Sequence, residues 1–366
     1  MTNRMSRSDR WEQGSEFHWI TYPVAPSSPM PWGKSHLFLG SARHALKKLL
    51  KYGLVTRNWK RLWIPSYFCQ EVVSSLLSAD IELSLYPDCP SNDSPQLDRI
   101  ETRPGDVVLV INFFGLRTKN SIDRSYLHNM EVIEDHSQDP WSDWARTSNA
   151  DWCIASLRKT LPLPEGSVLW SPAGHELPAA IPATAAHEKA SLEKFTAMVL
   201  KRLYLEGYPV EKDTYLRLLL SGENQLGAGE VSGMLDWTRS LLSSFPVTGW
   251  RNLRRRNHHV LSAELFNLTG VEVLQPRTGL DTCPFSGILV FDSPQKRSRV
   301  REKLIASRVY PAILWPLEKP AVAGISQKDQ EFSQRMLSIH CDMRYDETDM
   351  KYVASLIKKY GESESI

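Results

Sequence analysis

The sequence predicts an α/β fold: a three-layer domain with a mostly parallel, mixed sheet, followed by a small α+β domain. Three observations predict it. Apolar extended segments alternate with helical ones along the first part of the chain. Residues Asp106 to Phe113 form an almost continuous apolar run, typical of a strand covered on both faces. The length of 366 residues exceeds what one small core needs, so we expect a second domain.

The elements of the large domain follow from apolar spacing and from Pro and Gly breaks. Leu46, Leu49 and Leu50 recur at helical spacing, so a short extended segment at Leu37 leads into a helix at 43–52. The further predicted strands are 61–65, 81–86, 106–113, 130–133 and 152–155. The further predicted helical segments are 67–77, 187–220 and 231–244.

Pro246 and Gly249 interrupt the helical pattern, so we place the domain boundary there. The predicted domains are an N-terminal arm at 1–35, a large domain at 36–245 and a small domain at 246–366. The small domain is predicted to contain helices at 250–266, 298–306 and 346–359, and strands at 271–274 and 287–291. The arm is rich in proline and aromatic residues, which indicates an extended segment lying over the body of the protein.

Composition excludes several classes of function. The net charge is +2, from 44 Lys and Arg against 42 Asp and Glu, which gives no basic surface for nucleic acid or membrane. No apolar run approaches the roughly 18 residues that span a bilayer. The first 15 residues lack the apolar core of a signal peptide, so we expect a cytoplasmic protein. The five cysteines include no C-x-x-C pair, which argues against a zinc site or a disulfide framework.

Chemically useful residues follow three predicted strands. They are the segments Gly40-Ser41-Ala42, Glu134 to Gln138 and Ser156 to Lys159. In open α/β sheets, ligands bind beyond the carboxyl ends of the strands. Pyridoxal phosphate (PLP) needs a lysine amine, a carboxylate for its pyridine nitrogen, and small residues with backbone amides for its phosphate. These segments contain all three.

The segment E-D-H-S-Q at 134–138 resembles the E-D-x-A-Q motif of the DegT/DnrJ/StrS family, whose members are fold-type-I PLP enzymes. The resemblance implies that Asp135 pairs with the pyridine nitrogen and that Gln138 binds the ring hydroxyl. Ser137 would pack against the cofactor. The stretch D-W-C-I-A-S-L-R-K at 151–159 is similar to the family's lysine segment. It implies Ser156 at the phosphate and a Schiff base on Lys159.

Two more segments extend the resemblance. L-G-S-A-R-H-A-L at 39–46 resembles the family's phosphate loop, which implies that Gly40, Ser41 and Ala42 bind the phosphate. I-P-S-Y-F-C at 64–69 resembles the strand end that carries an aromatic residue, so Tyr67 or Phe68 is expected to stack on the ring.

The sequence also departs from the family. Ser156 and Lys159 are only three residues apart, which is two fewer than is common, so the loop is shortened or Ser156 lies away from the phosphate. The family's Asn-x-Arg segment, which reaches the partner subunit's cofactor, is not evident, and Asn224 is a weak substitute.

Each of these residues also has a structural interpretation. Lys159 could be a surface lysine, Gly40 and Ser41 a helix N-cap, and Tyr67 and Phe68 core residues. Among the residues outside the motif, we interpret His136 as a spacer and the Arg254-to-His259 run as a solvated helix face. Arg344 is equally suited to a substrate anion or to an acid such as Asp342.

The resemblance implies an aminotransferase that moves an amino group from an amino-acid donor, such as glutamate, to a keto acceptor, such as a nucleotide-linked keto sugar. It also implies a homodimer. Two alternatives stay open: another PLP reaction (a lyase, a dehydratase or transfer to a non-sugar acceptor), and a non-catalytic binding relative.

Overall fold

The computed structural model describes residues 10–20, 30–33, 35–92, 94–119, 122–127, 130–276 and 282–362. The strands are β1 Gln13–Gly14, β2 His36–Leu39, β3 Arg61–Pro65, β4 Glu82–Tyr86, β5 Asp106–Ile111, β6 Glu131–Asp135, β7 Trp152–Ser156, β8 Ser167–Trp170, β9 Val271–Val273, β10 Gly287–Phe291, β11 Val309–Tyr310 and β12 Met336–Ile339. The α-helices are α1 Ala42–Thr56, α2 Gln70–Leu76, α3 Asp143–Thr147, α4 Ala185–Leu205, α5 Lys212–Ala228, α6 Asp236–Leu241, α7 Val247–Leu265, α8 Pro294–Ala306, α9 Gln327–Arg335 and α10 Glu347–Glu362.

The large sheet has seven strands in the order β2-β8-β7-β6-β5-β3-β4. Strands β4, β3, β5, β6 and β7 are mutually parallel, whereas β8 runs antiparallel to both of its neighbours, β7 and β2. The predicted mostly parallel, mixed sheet is therefore confirmed. Because the parallel strands point the same way, their carboxyl ends meet at one edge of the sheet.

Both faces of this sheet are covered. Every residue of β5 is buried, as its apolar run predicts. Alternate residues enter different cores because side chains alternate along a strand. Leu109 lies in the core with Leu46 and Leu49 of α1. Val110 lies in the opposite core, which includes Trp144 of α3 and Met198 of α4.

The C-terminal part of the chain builds a second sheet of three antiparallel strands in the order β12-β10-β9. Its core joins side chains from α7, α8 and α10, including Leu261, Val300 and Val353. We keep the domain boundary near residue 246 as a proposal.

The described part of the N-terminal arm crosses between the two sheets. β1 pairs in parallel with β11 near the small sheet. Beyond β1, the Trp19 amide donates to the carbonyl of Met198 in α4 at 2.9 Å. Trp32 is buried against Trp141 and Trp170 of the large sheet's core.

The structure differs from the prediction in the middle of the chain. The single helical segment expected at 187–220 is two helices, α4 and α5, because the chain turns at Gly207, where φ is +95°. Residues 231–235 are not helical, and Gly233 instead bridges Leu39 of β2. Strand β8 and helix α9 were not predicted. No helix in the described ranges is long and apolar enough to cross a membrane.

Candidate active site

A cavity lies at the edge of the large sheet where β5, β6 and β7 end. It is lined by Ala42, Leu46, Phe68, Cys69, Val72, Ile111, Asp135, Ser137, Gln138, Ile154, Lys159 and Trp315. Six of these residues are predicted site residues: Ala42, Phe68, Asp135, Ser137, Gln138 and Lys159. The structure thus brings together side chains that are more than 100 positions apart in the sequence.

Asp135 is the last residue of β6, and it is 8% exposed. The alternation of side chains along β6 directs it toward the α1 face of the sheet, where the cavity lies. Its Oδ1 accepts a hydrogen bond from the Ser137 amide at 2.8 Å. No described residue forms an ion pair with Asp135. One carboxylate oxygen is therefore available to a cationic or N–H group in the cavity.

Gln138 is held at the cavity wall by its side-chain oxygen. Oε1 accepts from the Phe114 amide at 2.6 Å, which leaves the Nε2 amino group as a donor. Ser137 is fixed in a similar way, because its Oγ accepts from the Ser156 amide at 2.9 Å. Both side chains are therefore positioned by the backbone of neighbouring strand ends.

Lys159 lies in the turn that follows β7. Its Nζ is 5.8 Å from the centre of the Trp315 ring. Within the described ranges, Nζ forms neither a hydrogen bond nor an ion pair. It is a partly buried amine that faces two cavities, so it does not fit the surface-lysine interpretation.

The two candidate aromatic residues have different surroundings. Phe68 lines the cavity, whereas Tyr67 is fully buried behind it. The Tyr67 hydroxyl accepts from the Trp315 amide at 2.9 Å and donates to the Leu314 carbonyl. Tyr67 therefore fixes the loop that carries Trp315, and Phe68 is the residue placed to stack on a ligand.

Of the residues predicted to bind the phosphate, only Ala42 lines the cavity. The Gly40 amide donates to the Ser232 carbonyl at 2.9 Å, so it is already used. Ser41 caps α1 by accepting from the His44 amide at 3.2 Å. Ala42, the first residue of α1, lines the cavity. Ser156 is 3% exposed and is not among the described residues that line it.

Glu134 and His136 lie on the opposite face of the sheet from Asp135. His136 packs between Trp144 and Trp170 and contacts Glu134 at 3.0 Å. Burial alone would raise the pKa of Glu134. Hydrogen bonds from His136 and Ser148, together with the charge of Arg124, outweigh this effect and lower the pKa to about 2. Neither residue lines the cavity, which agrees with the interpretation of His136 as a spacer.

A second cavity, of about 440 Å³, adjoins the first at Lys159. It is lined by Ser15, Glu16, Phe17, Arg158, Lys159, Arg254, Phe285, Tyr310, Pro311, Ala312, Leu314, Ser338, His340, Asp342 and Arg344. One wall thus comes from the N-terminal arm, one from the lysine turn and one from the small sheet. Together the two cavities form a site with an inner and an outer compartment.

Helix α7 differs from its predicted solvated face. Arg254 and His258 are each 3% exposed, whereas Arg256 and His259 face solvent. The helix packs one side against the large domain and against α10, which buries every third or fourth residue. The interpretation was wrong for Arg254 and His258.

Two lining residues that could contact a ligand, Trp315 and Arg254, were not predicted from the sequence. Trp315 lies in the segment V-Y-P-A-I-L-W-P-L, in which a tryptophan between prolines marked an unusual turn. Arg254 had no signal of its own, because it is one of three consecutive arginines. Asn224, the weak substitute for the partner-reaching residue, lies on the exposed side of α5.

No family model matches the sequence, and no curated protein matches it. Solved structures do match. A protein from Streptococcus pneumoniae assigned as a sugar aminotransferase, in its PLP form, is 12% identical with a TM-score of 0.61, over 96% of this chain and 99% of that one. The sugar aminotransferase CalS13 from Micromonospora echinospora is 13% identical with a TM-score of 0.57, over 88% and 87%.

DesI, determined in the presence of its TDP-sugar product, is 15% identical with a TM-score of 0.58, over 90% of this chain and 81% of DesI. At these identities the likeness concerns the fold. The predicted fold class is confirmed, and the resemblance to the DegT/DnrJ/StrS family is borne out at the level of structure. The chain has the fold of the sugar aminotransferases, which are PLP-dependent enzymes of fold type I.

Proposed function

We propose that this chain is a PLP-dependent aminotransferase that uses Lys159 to hold the cofactor. One observation carries the proposal: Asp135, Gln138 and Lys159 line a single cavity at the carboxyl edge of the sheet. Their residue types match what the cofactor needs, and the chain shares its fold with sugar aminotransferases. In such enzymes PLP acts as an electron sink that stabilises negative charge on the substrate carbon.

The residue types that line the inner cavity suit a pyridine ring. Asp135 offers a carboxylate with one oxygen left free by the Ser137 amide, and would keep the ring nitrogen protonated. The Gln138 amino group can donate to the ring hydroxyl, because its carbonyl oxygen is already engaged by the Phe114 amide. Phe68 and Ile154 provide apolar walls on which the ring would pack.

Lys159 supplies the amine that would anchor the cofactor and move a proton during the transfer. Its freedom from an acidic partner in the described ranges supports this role, because an ion pair would hold the amine protonated and turned away. The Trp315 ring beside Nζ limits the directions that the side chain can take.

The phosphate end of the cofactor would meet the start of α1. The first amides of a helix have no partner within it, and anions bind there. The Ser41 side chain takes the amide of His44, which leaves those of Ala42 and Arg43 for the phosphate. Gly40 would act by allowing close packing, because a Cβ there would lie 2.3 Å from the His187 ring.

We propose amino transfer from an amino acid such as glutamate to a keto acceptor. The names of the proteins with this fold favour a sugar, and the TDP-sugar product of DesI favours one linked to a nucleotide. We also propose that the chain works as a homodimer, as the family resemblance implies. Light scattering on the eluted protein would give its mass, to be compared with 41.7 kDa for one chain.

The test is the visible absorption spectrum of the purified protein after PLP is added, followed by borohydride reduction and mass mapping. We expect a yellow protein with the cofactor trapped on Lys159. Lys159→Ala should lose the trapped adduct and turnover, whereas the exposed control Lys189→Ala should keep both. Adding glutamate should bleach the yellow form and release 2-oxoglutarate.

Two results would contradict the proposal. A colourless protein, or cofactor trapped on scattered surface lysines, would favour a non-catalytic binding protein. Trapping on Lys159 without release of 2-oxoglutarate from any amino donor would favour a different PLP reaction.

A further inference from the structure

Arg254 lines the outer cavity, which it shares with Lys159. The side chain is 3% exposed. Nη2 donates to the Thr160 carbonyl at 3.2 Å, and Nε is buried without a hydrogen-bond partner. Within the described part of the chain, no carboxylate lies within ion-pair distance of Arg254. It is therefore a buried guanidinium without a counter-charge in contact.

The other arginines near this cavity are already paired. Arg158 binds both carboxylate oxygens of Glu223, at 2.9 and 2.6 Å. Arg344 binds both oxygens of Asp342, each at 2.8 Å, and also contacts carbonyl groups of the arm. Arg344 is thus the partner of Asp342, which was one of its two sequence interpretations.

Asp139, an acid on which the charge of Arg254 acts, is also occupied. Asp139 accepts from Arg251 Nε at 3.1 Å and from Nη2 at 2.9 Å. It further accepts from the Cys283 amide at 3.1 Å. One carboxylate therefore serves Arg251 directly and leaves Arg254 only a longer-range attraction.

A buried charge without a partner costs several kcal/mol. Such an arrangement is retained when a ligand supplies the missing charge, and the planar guanidinium suits a carboxylate with its two oxygens. From this geometry we propose that Arg254 binds the carboxylate of the amino-acid substrate in the outer cavity, beside Lys159. The assignment to that substrate rests on the proposed function.

The surroundings suit the carboxylate of a molecule that also carries a carbon chain. Phe17, Phe285 and Leu314 provide apolar walls for the carbon chain of an amino acid. The cavity volume of about 440 Å³ accommodates a molecule of that size.

The test measures binding of glutarate, an unreactive dicarboxylate, to the full-length chain by calorimetry, with and without PLP. Arg254→Gln should weaken binding by about 10- to 100-fold, the usual effect of losing a charged hydrogen-bond pair. Arg256→Gln is the matched control, because Arg256 lies on the same helix with its side chain 53% exposed. It should bind glutarate as the original chain does.

Equal glutarate affinity in Arg254→Gln and the original chain would overturn the proposal, as would the absence of glutarate binding by the original chain. Inorganic phosphate that binds more tightly than glutarate, and only when Arg254 is present, would overturn the choice of ligand. If PLP fails to load on Lys159 while glutarate binding still depends on Arg254, the carboxylate site stands and the aminotransferase proposal fails.

A thermal unfolding measurement separates a ligand-binding role from a structural one. Arg254→Met removes a buried charge that has no counter-charge in contact and loses one hydrogen bond, to the Thr160 carbonyl, so the unfolding midpoint of the ligand-free chain should change little. The same variant should lose the upward shift of the midpoint that glutarate causes in the original chain. A lower midpoint, together with an intact glutarate shift, would assign Arg254 to the structure alone.

Discussion

Replacing Arg117 with methionine is expected to destabilise the protein by leaving a buried carboxylate without its partner. The Arg117 guanidinium contacts Asp88 Oδ2 at 2.9 Å and Oδ1 at 2.6 Å. The two side chains are 2% and 0% exposed. The pair joins the loop after β4 to the loop after β5, which is the loop whose Phe114 amide holds Gln138 at the cavity.

The expected loss follows from this burial. Breaking one partner of a buried ion pair costs about 3–5 kcal/mol, mostly because the remaining charge is stranded. The free energy of unfolding from urea titrations at neutral pH should fall by that amount. Arg239→Met is the control, because the Arg239–Asp236 pair is exposed, at 53% and 89%, and its loss should change little.

Two further measurements decide whether the stranded charge is the cause. The double variant Arg117→Met with Asp88→Leu removes both charges and should recover most of the lost stability. In the single variant, burial raises the pKa of Asp88 in the folded state. The folded state then binds more protons than the unfolded state, so the deficit should shrink as pH falls. A double variant no more stable than the single one would refute the reasoning.

Three further predictions concern the site and its supports. Asp135→Asn keeps the acceptor for the Ser137 amide but loses the negative charge, so the variant should still fold and bind PLP. Its amino-transfer turnover, measured as release of 2-oxoglutarate, should fall by about 100-fold or more. The pKa of Glu134 is about 2 in the folded protein and 4.5 for the free side chain. This difference corresponds to about 3 kcal/mol of stability above pH 4.5. That stability should be lost as pH falls from 4.5 toward 2, and urea titrations of Glu134→Gln should lack this dependence. Gly40→Ala places a Cβ 2.3 Å from the His187 ring, so the free energy of unfolding should fall by about 1–3 kcal/mol and the thermal unfolding midpoint should fall with it. An unchanged midpoint would mean that the ring moves aside freely.

The sequence was most informative where a buried strand ends in polar residues. The apolar run of β5 and the E-D pair that ends β6 predicted both the sheet and the place of the cavity. Side-chain alternation then separates Glu134 from Asp135, so that only Asp135 faces the cavity. These predictions depend on local pattern and on the geometry of parallel strands, which a single sequence contains.

Contacts between distant segments could not be predicted in this way. Arg254 has the polarity of a solvent-exposed helix residue, and its burial depends on the Thr160 carbonyl, 94 positions away. The placement of Trp315 depends on Tyr67, 248 positions away. The use of the Gly40 amide by Ser232 likewise follows from how α5 and the segment after it pack, which no local pattern indicates.

The pairing of β1 with β11 has a consequence for the order of folding. Gln13 has its strand partner at Val309, so β1 cannot pair until almost 300 further residues have been synthesised. During that interval the large sheet can form from local crossovers, while the wall of the outer cavity made by Ser15, Glu16 and Phe17 is still absent. The outer cavity, whose lining also includes Ser338 and Arg344, can therefore be completed only after most of the chain has been synthesised.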